Sequence, residues 1–275
     1  MNASRLGLPL ASLVVLVGLT LVGYRQSLTP DPQPLTPTLT GQPELCLTCH
    51  SGIEEISPSH PVEAFGCVRC HGGDRMSLDP VGAHAGLIGG NNPADLATVE
   101  QACGGSDCHG GSPEEERDHI ARVMTSVQAT YAGAIAQVRY SFGAQPDPIA
   151  RFGIFAVEDR LVTTPTGLAS LARFDPTPSA NAMIRQFGAN CLTCHLSAPA
   201  RDEAKYHRLT GCAACHAVGN AEGTYTGGDP TIARDQPGHA KEHRLTTAIP
   251  YPQCNTCHNR GNYSLRQMAF LPRDD

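Results

Sequence analysis

One short pattern recurs six times along the chain and uses all 12 of its cysteines. Each copy has two cysteines with two residues between them, or four in one copy, and a histidine directly after the second cysteine. The copies are Cys46-Leu-Thr-Cys49-His50, Cys67-Val-Arg-Cys70-His71, Cys103-Gly-Gly-Ser-Asp-Cys108-His109, Cys191-Leu-Thr-Cys194-His195, Cys212-Ala-Ala-Cys215-His216 and Cys254-Asn-Thr-Cys257-His258. This sequence pattern is typical of covalent haem c attachment. We therefore expect the chain to bind six covalently attached haem c groups.

The chemistry of haem attachment explains this spacing. Two thiols a short step apart can form thioethers with the two porphyrin vinyl groups, and the adjacent imidazole can then take one axial position on the iron. The copy that begins at Cys103 has the longer spacing, which resembles that of the small tetrahaem cytochromes of sulfate reducers. We therefore retain it as a haem site.

The histidines outside the motifs supply one further imidazole for each haem. The chain has 12 histidines, and six of them lie outside the motifs. These six candidate distal ligands are His60, His84, His119, His207, His239 and His243. An iron with two histidine ligands has both axial positions filled and transfers electrons without binding a substrate. His239 and His243 are four residues apart and could share a helical face, so one of them could be a surface residue.

Zinc is the main competing cofactor. The pair Cys46 and Cys49 with the pair Cys67 and Cys70 has the spacing of a zinc ribbon, and the motifs beginning at Cys191 and Cys212 repeat it. A site of four thiolates does not need the histidine that follows every pair. Thioredoxin-like redox pairs and iron–sulfur ligation do not need it either. The pattern therefore favours haem.

Composition predicts a mainly α fold with extensive coil and little β structure. Hydrophobic residues make up 40% of the chain, but aromatic residues only 5%, and tryptophan is absent. Porphyrins would supply the large apolar surfaces that such side chains lack. The 28 glycines and 22 prolines favour loops that wrap closely around cofactors.

Charge bears on the partners of the protein. The formal net charge is −6, and no basic cluster is present, which argues against nucleic acid as a partner. Haem propionates would make the assembled protein more acidic. We therefore expect redox partner proteins with a basic docking face.

The N-terminal region, residues 1–25, is predicted to be a transmembrane anchor or a signal peptide. Residues 6–23 form an apolar run with Arg5 before it and Arg25 after it, and no clear cleavage site follows. We favour an uncleaved anchor that holds the protein on the periplasmic side of the cytoplasmic membrane. The alternative is secretion after signal cleavage. Residues 26–44 are rich in proline and threonine and are predicted to form a semi-extended linker.

The rest of the chain divides into two three-haem modules, residues 45–119 and 191–275. The same distance along the chain separates Cys46 from Cys191 and Cys67 from Cys212, which indicates an internal repeat. Residues 120–190 contain neither cysteine nor histidine and are predicted to be a helical connector. One helix is expected from Ser112 to about Phe142, and residues 152–162 suggest a short hairpin.

Through its motifs, the chain from residue 46 to residue 258 resembles the multihaem cytochromes c. This resemblance implies closely stacked haems that conduct electrons. It also implies that the six motif histidines are the proximal ligands: His50, His71, His109, His195, His216 and His258. A membrane anchor before a haem domain resembles the tetrahaem quinol dehydrogenases, but this chain has six motifs and a long linker instead.

Three classes of function follow. The first is an electron carrier, not an enzyme, between a membrane or periplasmic donor and a periplasmic or extracellular acceptor. The second is a nitrite, hydroxylamine or tetrathionate reductase in which one haem has an open position. The third is a haem-wire subunit of a respiratory complex or a cytochrome filament.

Overall fold

The computed structural model describes most of the chain from residue 31 to residue 258. The described residues are 13–20, 31–90, 92–155, 157, 170–192, 195–196, 208–219, 224–235 and 239–258, with only the backbone described at 190 and 255–258. The structure is mainly helical with little strand, which confirms the predicted mainly α class.

Most of the helices are only one turn long. Helix α1 covers residues 13–20. The later helices are α2 (Val62–Phe65), α3 (Val68–His71), α4 (Pro80–Ala83), α5 (Val99–Ala102), α6 (His119–Met124), α7 (Val127–Thr130), α8 (Ala132–Ser141), α9 (Ala182–Asn190), α10 (Ala213–His216) and α11 (Tyr251–His258). Single turns of 3-10 helix cover Cys46–Thr48 and Pro113–Glu115.

The N-terminal prediction lies mostly outside the described residues, because only α1 falls within the apolar run. Among the described helices, none has both the length and the apolar character needed to cross a bilayer. The proposed anchor or signal peptide therefore stays a prediction.

Residues 33–44 pack against the first module and do not extend away from it. Leu35 and Glu44 form an antiparallel bridge, and the Leu39 amide donates to the Ala64 carbonyl at 3.0 Å. Pro37 is fully buried, and the Gln33 amide donates to the Thr48 hydroxyl. This differs from the semi-extended linker that the proline content predicts. Prolines also favour turns, and here the turn returns the chain to the motif that begins at Cys46.

Two motifs are directly preceded by a glycine. Gly66 ends α2 before one motif, and Gly211 allows close packing before another. Gly66 has a positive φ of 69° at the end of α2, directly before Cys67, and a Cβ there would lie 2.6 Å from a Glu44 carboxylate oxygen. Gly211, with φ 63°, precedes Cys212 and packs against the Ala94 carbonyl. Only glycine tolerates both this conformation and this proximity.

The single helix predicted from Ser112 to Phe142 is wrong, because the segment is broken into four short pieces. Glu116 and Tyr131 both adopt the left-handed conformation, with φ 54°. Ser126 begins α7 by accepting a hydrogen bond from the Ala129 amide, so its side chain competes with a continuing helix. Ser112 makes no side-chain cap. The predicted apolar stripe is nevertheless partly core, since Ile135 is fully buried while Val127 is exposed.

The two strands do not form the predicted hairpin. Strand β1 (Phe152–Gly153) pairs in parallel with β2 (Ala172–Arg173), whereas hairpin strands are antiparallel. Most of the remaining hairpin residues lie outside the described part of the chain. Strand β1 also contacts α8, so this small sheet belongs to the connector.

The side-chain core lies mainly in and next to the connector. One cluster of buried residues comprises Ile135, Phe174, Ile184 and Phe187, and another comprises Leu96, Val99, Ile120 and Ala129. A third and smaller cluster joins Ala94 to Ala213 and Ala217. The second cluster contacts Cys103 and Cys212, so motif residues border the core on one side.

Candidate functional site

A single large cavity brings together residues of four motifs. Its volume is about 2250 Å³, far above the roughly 300–1,000 Å³ of typical small-molecule pockets. The motif residues that line it are Cys46, Cys49, His50, Cys67, Cys70, His71, Cys103, Cys108, His109, Cys212 and His216. A cavity of this size fits more than one large cofactor.

The local backbone gives these motifs a common shape. In three motifs the histidine amide donates to the carbonyl of the first cysteine, at 3.1 Å for His50, 3.0 Å for His71 and 3.0 Å for His216. This is one helical turn, and it places both cysteines and the histidine close together. The CxxCH spacing allows this turn but does not enforce it, since the His195 amide donates to the Leu192 carbonyl instead, at 3.0 Å.

The motif with the longer spacing closes in the same way. The His109 amide donates to the Cys103 carbonyl at 3.1 Å, although four residues separate its cysteines. The Arg69 guanidinium then links this loop to the neighbouring motif, since it contacts the Ala102 and Gly104 carbonyls and lies 3.8 Å from the Cys108 sulfur. The two extra residues between the cysteines therefore do not change this bond, because the histidine amide still donates to the carbonyl of the first cysteine.

Three motif histidines lie close to histidines from outside the motifs, with ring planes 61°, 34° and 15° apart. The ring centres are 6.0 Å apart for His50 and His84 and 6.0 Å apart for His71 and His243. Those of His109 and His60 are 5.9 Å apart. His119 also lies beside His109, with a separation of 5.2 Å.

These separations agree with two imidazoles on opposite sides of one metal ion. A metal–nitrogen bond is about 2 Å long, and the ring centre lies ~1 Å behind the nitrogen, so the two ring centres would be ~6 Å apart. The three pairs near this value all line the cavity. The donor set and its spacing therefore fit haem iron with two histidine ligands.

Hydrogen bonds at Nδ1 leave the other ring nitrogen of several histidines available. The Nδ1–H of His216 donates to the Thr246 carbonyl, and that of His243 donates to the Glu54 carbonyl, each at 2.8 Å. The Nδ1–H of His50 donates to the Asp229 carboxylate at 2.7 Å. Bonds of this type fix the tautomer and orientation of metal-binding histidines.

Burial keeps His71 neutral. Burial, aided by the nearby charges of His243 and His50, lowers the pKa of His71 to about 4. Burial also lowers the pKa of His109, and His119 contributes to that shift. Both imidazoles are therefore unprotonated at neutral pH, as a metal ligand must be.

Three partly buried cysteines in the same cavity have a raised pKa, whereas the hydrogen bond with Cys67 lowers the pKa of Cys46. Burial raises the pKa of Cys103 to about 12 and also raises the pKa of Cys70 and Cys212. Reactive redox cysteines instead have a lowered pKa and partial exposure. Cys70, Cys103 and Cys212 therefore do not have the lowered pKa of reactive redox cysteines.

A zinc site with four thiolates is not formed among the described residues. Glu44, Cys46 and Cys67 form the one group of three metal-binding side chains found there, with ligand atoms within 4.8 Å of one another. A Glu44 oxygen already accepts hydrogen bonds from the amides of Cys67 and Val68, and Cys49 and Cys70 do not join the group. This geometry does not favour a zinc ribbon.

The structure places the other predicted site residues as follows. His60, His84, His119, His239 and His243 all line the cavity, whereas Cys194 and His207 lie outside the described residues. Cys191 and Cys215 are partly buried, Cys254 is exposed, and the side chains of Cys257 and His258 are not described.

His195 lies away from this cavity. It is almost fully buried, and its Nε2 is hydrogen bonded to the Ala129 carbonyl. Its own carbonyl accepts a hydrogen bond from the Arg208 guanidinium. In this conformation Nε2 is directed at a backbone oxygen of the connector.

Several residues that support the site have no signal in the sequence. Asp229 and Glu44 form hydrogen bonds with motif residues that are distant in sequence, and Glu54 accepts one from the amide of the candidate ligand His243. None belongs to a motif or to a periodic pattern. Comparison with family models, curated proteins and solved structures gives no match for this chain.

Proposed function

We propose that the protein is a hexahaem c-type cytochrome that transfers electrons between a membrane or periplasmic donor and a periplasmic or extracellular acceptor. The main support is the set of three histidine pairs, each with one motif histidine and with ring centres 5.9–6.0 Å apart. The six repeated motifs supply the thiols and one imidazole for each haem.

The residues of each pair would have separate roles. Motif cysteines would hold the haem covalently, and the two imidazoles would occupy both axial positions of its iron. When bound, haem c supplies reversible one-electron transfer. At the three haems bound by these pairs, both positions would be filled by protein nitrogen and none would be left for a substrate. This supports an electron carrier.

The shared cavity supports transfer from one centre to the next. Residues of four motifs line one continuous space, and His109 interacts electrostatically with His60, His119 and His216. Cofactors held by these motifs would therefore be neighbours. We infer a multihaem cytochrome c architecture in which the chain wraps around stacked haems.

Location and partners follow from the same proposal. Haem attachment to CxxCH motifs takes place on the outer side of a bacterial-type membrane, which favours the periplasmic face. The acidic net charge favours a redox partner with a basic docking surface. An uncleaved N-terminal helix would keep the protein close to a membrane donor.

Haem counting together with electron paramagnetic resonance tests the proposal. The full chain is produced in a host that attaches c-type haem, and haem per protein is measured by intact mass and by pyridine haemochrome. We expect six haems, all low-spin. The double substitution Cys67→Ala with Cys70→Ala should lower the count to five, whereas the control His84→Ala should leave it at six.

Two results would contradict this function. A protein with no covalent haem but with stoichiometric zinc would overturn the choice of cofactor. A high-spin haem whose signal changes on addition of nitrite or hydroxylamine would instead indicate a reductase.

A further inference from the structure

Asp229 is a fully buried carboxylate that contacts a motif histidine. It has no exposed surface, and one of its oxygens accepts the Nδ1–H of His50 at 2.7 Å. Its other oxygen accepts hydrogen bonds from the amide and the hydroxyl of Thr231, both at 2.8 Å. A buried carboxylate is unfavourable unless such partners compensate its charge. Here all three hydrogen-bond partners are donors, so they compensate the buried carboxylate.

A wider network holds this carboxylate in place. The Asp229 amide donates to the Tyr225 hydroxyl, which in turn donates to the Glu54 carboxylate, each at 3.0 Å. Glu54 also accepts hydrogen bonds from the amides of Gly228 and His243. The segment that carries Asp229 is thus tied to the first module at several points.

The Nδ1 of His50 is hydrogen bonded to a carboxylate, whereas the other described Nδ1 contacts of histidines are to uncharged groups. The Nδ1 of His216 and that of His243 bond to backbone carbonyls, and the Nδ1 of His60 lies 3.0 Å from the Ser57 hydroxyl. These three partners are uncharged. Among the described histidine rings with such a contact, His50 alone has a carboxylate as its partner.

A charged acceptor changes the properties of the ligand. A carboxylate that accepts the Nδ1–H makes the imidazole a stronger electron donor through its other nitrogen. A stronger donor and a nearby buried negative charge both stabilise ferric iron relative to ferrous iron. Hydrogen bonds to neutral carbonyls have a weaker effect.

We propose that Asp229 is a positioning residue that orients His50 and lowers the reduction potential of the haem bound there, making it the lowest among the haems bound by His50, His71 and His216. This inference rests on the proposed function. It assigns a role to a residue that lies 179 positions from its partner in sequence.

The test is a spectroelectrochemical titration of the holoprotein with Asp229→Asn. Asparagine keeps the size of the side chain but removes its charge, so one of the six redox transitions should shift to higher potential while the other five change little. The low-spin resonance of that haem should change as well. Asp235→Asn is the matched control, because this substitution removes the same charge at an exposed position. It should leave all six transitions in place.

A second variant should shift the reduction potential in the opposite direction. The Thr231 hydroxyl donates to Asp229 and lies 3.1 Å from the Nδ1 of His50. Thr231→Val removes this neutral partner and strengthens the bond between Asp229 and His50, so the same transition should move to lower potential. General loosening of the site would not produce opposite shifts. The Thr231 variant also decides the question if Asp229→Asn does not fold.

The outcomes separate this inference from the function that underlies it. Six haems with no shift in Asp229→Asn beyond that in Asp235→Asn would overturn the role of Asp229 and leave the cytochrome intact. An unchanged potential in Thr231→Val would also count against it. Absence of covalent haem in the unsubstituted protein would overturn the function itself.

Discussion

The buried carboxylate of Glu44 should be a major source of local stability around the motif that begins at Cys67. Its side chain is 3% exposed, and one oxygen accepts the Cys67 amide at 2.7 Å and the Val68 amide at 3.3 Å. Glu44→Ala would leave both amides without this acceptor at the start of α3. We expect the turn that presents Cys70 and His71 to loosen.

The size of the effect follows from the two bonds. A hydrogen bond to a charged group contributes about 1.5–3 kcal/mol, and the longer bond contributes less, so Glu44→Ala should lower the free energy of unfolding by about 2–4 kcal/mol. For a chain of this size the melting temperature should fall by about 5–15 °C. Glu44→Gln keeps a neutral acceptor, and neutral bonds are roughly half as strong, so its loss should be about 1–2 kcal/mol.

Thermal unfolding of the holoprotein, followed by circular dichroism, measures this loss. Hydrogen exchange read by mass spectrometry should show faster exchange in the peptide that contains Cys67 and Val68. Glu63→Ala is the control, because Glu63 is an exposed carboxylate on the preceding helix. The reasoning is refuted if both alanine variants melt within ~2 °C of the unsubstituted protein, where surface changes normally fall.

Two further predictions concern the histidine pairs and the core. His84→Ala removes the ring whose centre lies 6.0 Å from that of His50, so one haem in six should become high-spin and bind carbon monoxide when reduced. Optical and paramagnetic resonance spectra measure this change. Six unchanged low-spin signals would contradict the pairing. Ile135→Ala opens a cavity at a fully buried position and should destabilise the protein by about 2–5 kcal/mol in denaturant unfolding. Val127→Ala, at an exposed position in the neighbouring helix, should change stability by less than about 0.5 kcal/mol, and equal losses in the two would argue against this core.

The sequence predicts local features of the site well. The CxxCH spacing is short enough for one backbone turn to close on itself, and this turn is present in the motifs of His50, His71 and His216. Composition also predicts a mainly helical fold with little strand, which the structure confirms. Both features depend on residues that are close together in the chain.

Prediction fails where local signals compete. The apolar periodicity from Ile120 to Val138 favours one long helix, but it carries no information on the left-handed conformations of Glu116 and Tyr131. Those breaks allow the short helices to pack in different directions. The proline content of residues 26–44 likewise does not show that Pro37 is buried beneath the first module.

By itself, the sequence of this protein identifies the candidate residues for attaching and ligating the proposed haems, because the CxxCH pattern depends on residue type and short spacing. Tertiary structure alone decides which rings meet. His71 lies beside His243, and Asp229 is hydrogen bonded to His50. The residues of each pair are far apart in the chain, and no motif or periodicity predicts that they meet. The physical reason is that these contacts depend on how distant loops pack around one cavity. The sequence therefore gives the candidate ligands, and packing decides which side chains lie beside them.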